Sequence, residues 1–411
     1  MSIAADSPQS SADRVPVEDV LAWIDANLTS LPPQDVAVVE AAGRIVSQDV
    51  PAPIDLPPFD RAATDGYAVR ADETVGASAY SPLAFRLSPT PTDLPAGGIV
   101  RVNAGGALPA GADAVVPAAH VAPDTEGTVT VIEPVAAGSD VERAGSHATR
   151  GSRLVVAGRL LNPRDIGMLA SAGLARVSVT RRPRVRCLLA GGPSIEAGRP
   201  LSPGAVYDCN GPMLRALIER DGGVVVEQHY IERDRAGIGA ALTAPGSDIV
   251  LVAGGTGAGH DDHAAAALAD SGELAMHGVA FGPAETAGVG RLAGGTPMVL
   301  LPGAPAACLW AYEMFAGRMI RRLAGRDPEL PFPCRRMTAA RKIVSTIGML
   351  DVCPVQCLGE DRAAPIASFA EAGLASAARG DGFVLVPPAS EGYPQGAALT
   401  VYLFPGRARG E

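Results

Sequence analysis

The segment Asp248-Ile249-Val250-Leu251-Val252-Ala253-Gly254-Gly255-Thr256-Gly257-Ala258-Gly259 indicates the fold most directly. Its unbroken apolar run is typical of a strand that is buried on both faces of a sheet. The glycines that follow permit a left-handed backbone and leave N–H groups exposed, and a helix is predicted from His263 to Leu268. Strand, glycine loop and helix in this order predict a parallel sheet that is covered by helices.

The same order recurs from residue 183 to residue 327, which we interpret as a three-layer α/β domain. The predicted strands are Arg184 to Leu189, a strand from Val224, Asp248 to Val252, and Met298 to Leu301; the predicted helices are Pro212 to Arg220, Arg235 to Leu242, His263 to Leu268, and Ala306 to Leu323. Open sheets of this kind bind ligands at the carboxyl ends of their strands. Three glycine-containing loops occupy such ends: Ala190-Gly191-Gly192, Gly254 to Gly259, and Pro302-Gly303-Ala304-Pro305.

The flanking regions follow other patterns. Residues 51–144 and 328–411 show short apolar runs separated by Gly, Pro and Asp, which predicts two small β domains, the second a barrel or a sandwich. Helices are predicted after Pro16, over Asp35 to Ala42, and after the Asn162 cap. Residues 15–50 and 145–182 are therefore expected to be mainly helical.

Composition excludes several classes of protein. The net charge of −10 argues against a nucleic acid partner, because phosphate contacts need clustered Lys and Arg. No apolar run is long enough to span a bilayer and the polar N-terminus lacks a signal peptide, so we expect no membrane partner and a cytoplasmic location. The six cysteines contain no Cys-x-x-Cys pair, and we expect them to be reduced.

The loop from Gly254 to Gly259 is a candidate cradle for an oxyanion, although a glycine loop can also be a purely structural turn. Neither a P-loop pattern nor a dinucleotide-binding pattern is present. The following His260-Asp261-Asp262-His263 could bind a divalent cation together with a phosphate. Its acids could equally stabilise the start of a helix.

A second informative segment is Pro57-Pro58-Phe59-Asp60-Arg61-Ala62-Ala63-Thr64-Asp65-Gly66-Tyr67-Ala68. It closely resembles the signature Pro-x-Phe-Asp-x-Ser-Ala-Met-Asp-Gly-Tyr-Ala of the molybdopterin molybdenumtransferases, the family of MoeA and the gephyrin E domain. The resemblance extends over most of the chain. Further matching segments are Arg101 to Asp113, Pro200 to Asn210 with Tyr207 and Asp208, the glycine loop through Asp262, and Leu301 to Pro305.

This resemblance implies a split N-terminal helical domain, 15–50 with 145–182, into which the β domain 51–144 is inserted, followed by the α/β domain 183–327 and the C-terminal β-barrel-like domain 328–411. It also implies insertion of molybdenum from molybdate into adenylylated molybdopterin, with Mg²⁺, in a homodimer. Asp65 and Asp262 are then the candidate catalytic carboxylates, and Asp262 the candidate Mg²⁺ ligand. The implied substrate-binding residues are Asp60, Gly105, Gly191, Gly192, Gly254, Gly255, Gly259, Pro302, Gly303 and Pro305.

The chain also departs from the family pattern at polar positions. Hydroxyl, carboxylate, cationic or amide groups of the family are replaced at Ala104, Pro193, Ser194, Gly282, Glu285 and Ala304, and Ala370-Glu371 replaces a Gly-Ser in a less certain correspondence. Loss of two charge-assisted hydrogen bonds would weaken anion binding by about 3 to 6 kcal/mol, or roughly 10² to 10⁴-fold. Arg186, Arg199 or Arg291 could supply a replacement charge.

Two functions from different classes therefore remain open. The first is the transferase with a modified site. The second is a catalytically impaired carrier that holds the pterin for delivery to a molybdoenzyme, and a purely structural homodimeric scaffold is a third, less specific alternative. The Asp65 segment favours the enzyme, whereas the missing polar groups favour the carrier.

Overall fold

A computed structural model describes residues 14–125, 127–191, 194–231, 234–366 and 373–406. The chain divides into two compact units: one contains the chain up to Pro33 together with Thr180–Glu411, and the other contains Gln34–Val179. In the described ranges the α-helices are α1 (Val17–Asn27), α2 (Pro163–Ser171), α3 (Asn210–Arg220), α4 (Arg235–Thr243), α5 (Ala264–Ser271), α6 (Pro305–Ala311), α7 (Gly317–Leu323) and α8 (Leu374–Arg379). None of them combines the length and the apolar character that crossing a bilayer requires.

A six-stranded sheet forms the centre of the first unit. Its strands lie in the order Val224–Ile231, Arg184–Ala190, Ile249–Ala253, Pro297–Leu301, Gly288–Leu292 and Gly272–His277. The first four are parallel, as the sequence predicts, and the last two are antiparallel. Gly272–His277 has no buried residue and Gly288–Leu292 contains two glycines among five residues, so both sequences carry a weak strand signal.

Helices cover both faces of this sheet, because alternate residues of each buried strand point to opposite sides. Leu251 packs in a core with α1, α3 and the long helix, whereas its neighbours Val250 and Val252 pack with α4 and α5. The long helix is predicted as continuous over Ala306 to Leu323. It begins at Pro305 and contains a π-helical turn, Tyr312–Ala316, between α6 and α7.

The C-terminal region forms a closed five-stranded barrel. The order is Leu350–Leu358, Arg362–Pro365, Cys334–Ala339, Ala398–Leu403 and Gly382–Val386, and the last strand pairs with the first. Side chains such as Val355, Val384 and Val401 fill its interior. Between the two expected alternatives, barrel and sandwich, the structure is the barrel.

The second unit is built mainly from strands. Its larger sheet has the order Ala114–Pro117, Gly66–Val69, Gly98–Val102, Leu83–Leu87, Thr128–Val131 and Val121–Thr125. Short pairs surround it: Arg61–Ala62 with Val141–Glu142, Val50–Pro51 with Arg153–Val155, and Pro33–Ala37 with Arg176–Thr180. The predicted helix after Asn162 is present as α2, and Asn162 and Asp165 form a reciprocal capping box.

One expectation about the N-terminal region is wrong. The helix predicted over Asp35 to Ala42 is instead the strand Pro33–Ala37 and a single 3₁₀ turn, Val38–Glu40. Pairing with Arg176–Thr180, which buries Val36 and Val38, overrides the local helical pattern. In the first helix α1, Val20 and Ile24 pack in the α/β core, and the chain up to Pro33 groups with that unit. The domain limits, including the assignment of α1 to the split domain, stay predictions.

No disulfide joins any of the six cysteines, all of which lie in the described ranges, and Cys187, Cys308 and Cys357 are buried. Burial raises the pKa of the Cys187 thiol to about 12, so this sulfur stays protonated and packs as a small apolar group. These observations agree with the expectation of reduced cysteines.

Candidate functional site

Three predicted loops meet at the carboxyl end of the parallel strands. Gly254 N donates to Leu301 O at 2.9 Å. A Cβ atom at Gly254 would lie 2.0 Å from Ala190 O and 3.8 Å from Gly303 Cα. Gly254 has φ 95°, which L side chains rarely adopt, so a glycine is required here by both space and conformation. We call the region formed by Ala190, Gly254, Gly255 and Gly303 the strand-end site.

The glycine loop presents backbone donors at this site. Gly255 also has a left-handed backbone, with φ 66°, and its carbonyl accepts from Ala264 N at the start of α5. Within the described residues, the N–H groups of Gly255 and Gly257 have no acceptor. Successive N–H groups beside a helix N-terminus form a concave anion-binding arrangement. The loop can therefore accept an oxyanion without a cationic side chain.

Neighbouring segments hold the loop in place. Thr256 is buried; its hydroxyl lies 3.0 Å from that of Thr286, and His277 Nε2 lies 2.8 Å from Thr256 O. The loop is thus tied to the segment that carries Glu285.

The Asp262 carboxylate accepts a hydrogen bond from the glycine loop that precedes it. Its Oδ2 accepts from Gly259 N at 3.0 Å, and a Cβ at Gly257 would lie 2.5 Å from the same oxygen. The other carboxylate oxygen remains available. Nowhere in the described ranges do three or more His, Cys, Asp or Glu side chains gather as metal ligands, and His260 pairs with Asp261 in solvent. A single carboxylate fits Mg²⁺, which keeps several waters and often shares its ligands with a substrate phosphate.

The third loop continues directly into the long helix. Pro302 is buried, Pro305 is the first residue of α6, and Ala304, at the N-cap position, provides no side-chain hydrogen bond. Gly303 O accepts from Asn210 Nδ2 at 2.9 Å, which joins this loop to the start of α3. Gly191 follows Ala190 directly, whereas Gly192 and Pro193 lie outside the described residues.

Asp208 and Asn210 belong to this arrangement but were not among the candidate site residues. Asp208 Oδ2 accepts from the Tyr230 hydroxyl at 2.7 Å, and both carboxylate oxygens accept from Gly211 N. Burial and then the Asp208 contact raise the pKa of Tyr230 to about 12. The matching segment Pro200 to Asn210 was the sequence signal that could have identified Asp208 and Asn210.

The replacement cations proposed from the sequence do not reach the strand-end site as free charges. Arg186 is buried and bonded to Glu227, Ala244 O and Pro245 O. Arg199 forms an exposed pair with Glu196, and Arg291 lies over the Trp23 ring. Glu285 is instead 3.6 Å from Arg14, a pairing that no sequence pattern indicated.

The Asp65 segment lies in the second unit and is described by itself. Asp65 is exposed, and its Oδ1 accepts from Ala104 N at 2.7 Å. The next residue, Gly105, has φ 79° and open space where a Cβ would lie. Because the bond to Asp65 uses the backbone N–H of Ala104, it does not need the hydroxyl that the resemblance led us to expect there. Asp65 Oδ2 is left available to a ligand.

Asp60 makes contacts of a structural kind. Its Oδ1 accepts from Ala144 N and its Oδ2 from Arg143 Nη1, both at 2.7 Å. The Ala144 N–H and then Arg143 hold the pKa of Asp60 below its usual value. The carboxylate therefore fixes its own segment against residues 143–144, and a direct role in binding substrate stays a prediction.

Comparisons with known proteins agree with this architecture. Residues 15–173 match the family described as the MoeA N-terminal region (domain I and II), and residues 194–322 match a probable molybdopterin binding domain. Molybdopterin molybdenumtransferase 2 of Mycobacterium tuberculosis (strain CDC 1551) is 33% identical over 75% of this chain and 80% of that protein. A putative molybdopterin biosynthesis protein of Methanocaldococcus jannaschii is 28% identical over 97% of this chain and 98% of its own length.

The solved structures agree in fold. The molybdopterin biosynthesis MoeA protein from Pyrococcus horikosii has a TM-score of 0.77 and 29% identity, covering 96% of this chain and all of its own. The multidomain α/β fold expected from the sequence is thereby confirmed. On the two family matches, and on a relative 33% identical, the chain belongs to the molybdopterin molybdenumtransferase family, a family of transferases.

Proposed function

We propose that this protein transfers molybdenum from molybdate to adenylylated molybdopterin, with release of AMP, in the biosynthesis of the molybdenum cofactor. The observation that supports this most is the convergence of Ala190, Gly254 and Gly303 beside a glycine loop in which the N–H groups of Gly255 and Gly257 have no acceptor among the described residues. Molybdate and the pterin phosphate are both oxyanions, which such N–H groups bind. The similarity to transferases of known name supports the same reaction.

We assign separate roles to the glycine loop, Asp262 and Asp65. The N–H groups of Gly255 and Gly257 and the start of α5 would bind an oxyanion, and Asp262 would hold Mg²⁺ through the oxygen that Gly259 does not use. The bound cation would neutralise phosphate charge. Asp65, fixed by Ala104 N, would present its second oxygen as a carboxylate acceptor or base.

A second candidate function is a carrier that binds the pterin without turning it over. Charge favours this function. Glu285 is next to Thr286, whose hydroxyl contacts Thr256 of the glycine loop, and its carboxylate pairs with Arg14. The three arginines considered as replacements have other contacts. An anion is then bound chiefly by backbone N–H groups, without the additional Coulombic attraction of a cationic side chain. This predicts weak molybdate binding even where the pterin binds.

The test is Mg²⁺- and molybdate-dependent conversion of adenylylated molybdopterin by the purified full chain, with AMP release as the readout. Asp65→Asn is expected to lower kcat by about 10²-fold or more, the size of a general acid–base contribution. Asp72→Asn, an exposed carboxylate in the same unit, is the matched control and should be unchanged. Tight pterin binding without AMP release would favour the carrier, and absence of both would refute the proposal.

The family resemblance further leads us to propose a cytoplasmic homodimer that passes its product to a molybdoenzyme. Light scattering of the purified chain tests the dimer directly. A monomer at micromolar concentration would contradict it.

A further inference from the structure

An open cavity lies at the end of α3 that is remote from the strand-end site. α3 begins at Asn210, which bonds to Gly303 of that site, and ends at Arg220, which lines the cavity. The volume of the cavity is about 510 Å³, within the range of about 300 to 1,000 Å³ that is typical of small-molecule sites. The long helix, α8 and the barrel form its other walls, and all of these elements belong to the first unit. The cavity is therefore separate from the site described above.

The walls of the cavity are mainly apolar and include two aromatic rings. The apolar side chains that line it include Met213, Leu217, Leu309, Phe332 and Phe404. The rings of Phe332 and Phe404 meet edge to face with their centroids 5.6 Å apart, and Phe404 is only partly buried. Because aromatic rings attract one another in offset or edge contacts at such distances, these walls favour a ligand that carries a ring.

Arg220 supplies a hydrogen-bond donor in this apolar surrounding. Four of its five N–H groups are used, two by Glu313 and two by Asp221, at 2.7 to 3.2 Å. Within the described residues the fifth, on Nη1, has no acceptor, and 30% of the Arg220 side chain is exposed. The guanidinium carbon lies 5.5 Å from the centre of the Phe332 ring. A ligand that packs against Phe332 can therefore reach the unused N–H group with one acceptor atom.

The charges around Arg220 favour a neutral acceptor. Glu313 and Asp221 already pair with Arg220, and Asp381 also lines the cavity, where its Oδ2 accepts from Cys357 N. A ligand carboxylate would gain the Arg220 contact, but it would face Glu313 and Asp381, which carry the same charge. A ligand ammonium group has no lone pair with which to accept from Arg220. A neutral carbonyl meets both conditions.

We propose that this cavity is a second ligand site, which takes a neutral aryl-alkyl compound with one carbonyl group. The ring of the ligand lies against Phe332 and Phe404, and its carbonyl oxygen accepts from Arg220 Nη1. The site is independent of molybdate and of the pterin.

Three ligands with one carbon skeleton test the chemistry of the site. Dissociation constants of 4-phenylbutanamide, 4-phenylbutanoate and 4-phenylbutylamine, which carry a neutral carbonyl, a carboxylate and an ammonium group, are measured by calorimetric titration of the full chain at neutral pH. We expect one amide to bind per chain, about tenfold more tightly than the amine, because one hydrogen bond to a charged group contributes about that factor. The carboxylate should also bind more weakly than the amide. Equal or tighter binding of the amine or the carboxylate would overturn the assignment of a neutral acceptor.

Tryptophan substitutions test the location of the site. Ala378→Trp places a large ring at an exposed position of α8 that lines the cavity, and it should weaken amide binding about tenfold or more with an unchanged unfolding midpoint. Ala375→Trp, exposed on the same helix but outside the cavity lining, is the matched control and should bind the amide like the unsubstituted chain. If Ala378→Trp is less stable, Met213→Trp fills the cavity from α3 instead and should have the same effect.

Two results would refute the site. One is absence of amide binding by the unsubstituted chain, and the other is equal amide affinity in the Ala375 and Ala378 variants. Molybdate affinity is measured in parallel and should be the same in the Ala378 variant and the unsubstituted chain. Failure of the cavity site is thereby distinguished from failure of the proposed transferase function.

Discussion

Gly254→Ala is the most direct test of the strand-end geometry. The substitution adds one methyl group at a residue with φ 95°, and that methyl carbon would lie 2.0 Å from the backbone oxygen of Ala190. Neither atom belongs to a flexible side chain, so the strand end or the loop must shift. Gly295→Ala provides a matched comparison, because Gly295 has φ 83° in the same unit but nothing lies near its Cβ position.

The two substitutions separate conformation from close contact. A left-handed backbone costs an alanine about 1 to 2 kcal/mol, and this applies to both variants. Forcing a methyl group into a packed region costs about 1 to 3 kcal/mol more, and this applies to Gly254 alone. We therefore expect Gly254→Ala to lower the free energy of unfolding by about 2 to 5 kcal/mol and Gly295→Ala by about 1 to 2 kcal/mol.

Tryptophan fluorescence during urea unfolding measures the difference in stability between the two variants in the unit that contains the strand-end site. The chain has two tryptophans, Trp23 and Trp310, and both lie in the first unit, which contains the six-stranded sheet. Their transition reports that unit even if the other unit unfolds separately. Equal losses in the two variants would refute the close approach of the Gly254 loop to Ala190. The Gly254 variant should also bind molybdate more weakly, because its N–H groups move.

Two further predictions concern charge. Arg220→Met should lower the free energy of unfolding of the first unit by about 3 to 5 kcal/mol, because it leaves the buried carboxylate of Glu313 without its cationic partner. The same change at the exposed Arg235 should cost less than about 1 kcal/mol. Similar losses for the two variants in urea unfolding would contradict a buried ion pair. Burial raises the pKa of Asp248, but the hydrogen bonds from Arg181 and from the Arg184 N–H outweigh burial and hold that pKa below 3.8. The contribution of Asp248 to the free energy of unfolding is therefore complete above about pH 4 and is lost as the pH falls through the lowered pKa. Asp248→Asn should be less stable at pH 7 by about 1 to 3 kcal/mol, with the difference shrinking below about pH 4; a difference independent of pH would refute this.

Local pattern predicted the elements whose own residues determine them. The run Ile249–Ala253 is apolar on both faces, and Asn162 with Asp165 forms a complete cap, so both were predicted correctly. The strand Pro33–Ala37 was missed because its pairing partner lies far along the chain. The antiparallel strand Gly272–His277 was missed because none of its residues is buried, and Gly288–Leu292 was missed because its two glycines weaken the pattern.

The candidate site, like the fold, could be predicted from the sequence only in part. Glycine positions such as Gly254 could be predicted, since a left-handed backbone beside a strand end leaves a direct mark on the sequence. Side-chain pairs could not. The partner of Glu285 is Arg14, and the donor to Asp208 is Tyr230, and both contacts join segments that only the folded chain brings together.

The balance between enzyme and carrier depends on what binds the oxyanion. A hydrogen bond from a backbone N–H to an oxyanion is charge-assisted and contributes about 1.5 to 3 kcal/mol. Donors such as Gly255 N and Gly257 N can therefore replace part of the attraction of a missing cation, but not its selectivity for a dianion. A chain whose anion cradle lacks a cationic side chain should therefore bind molybdate weakly, so molybdate concentration would limit any turnover.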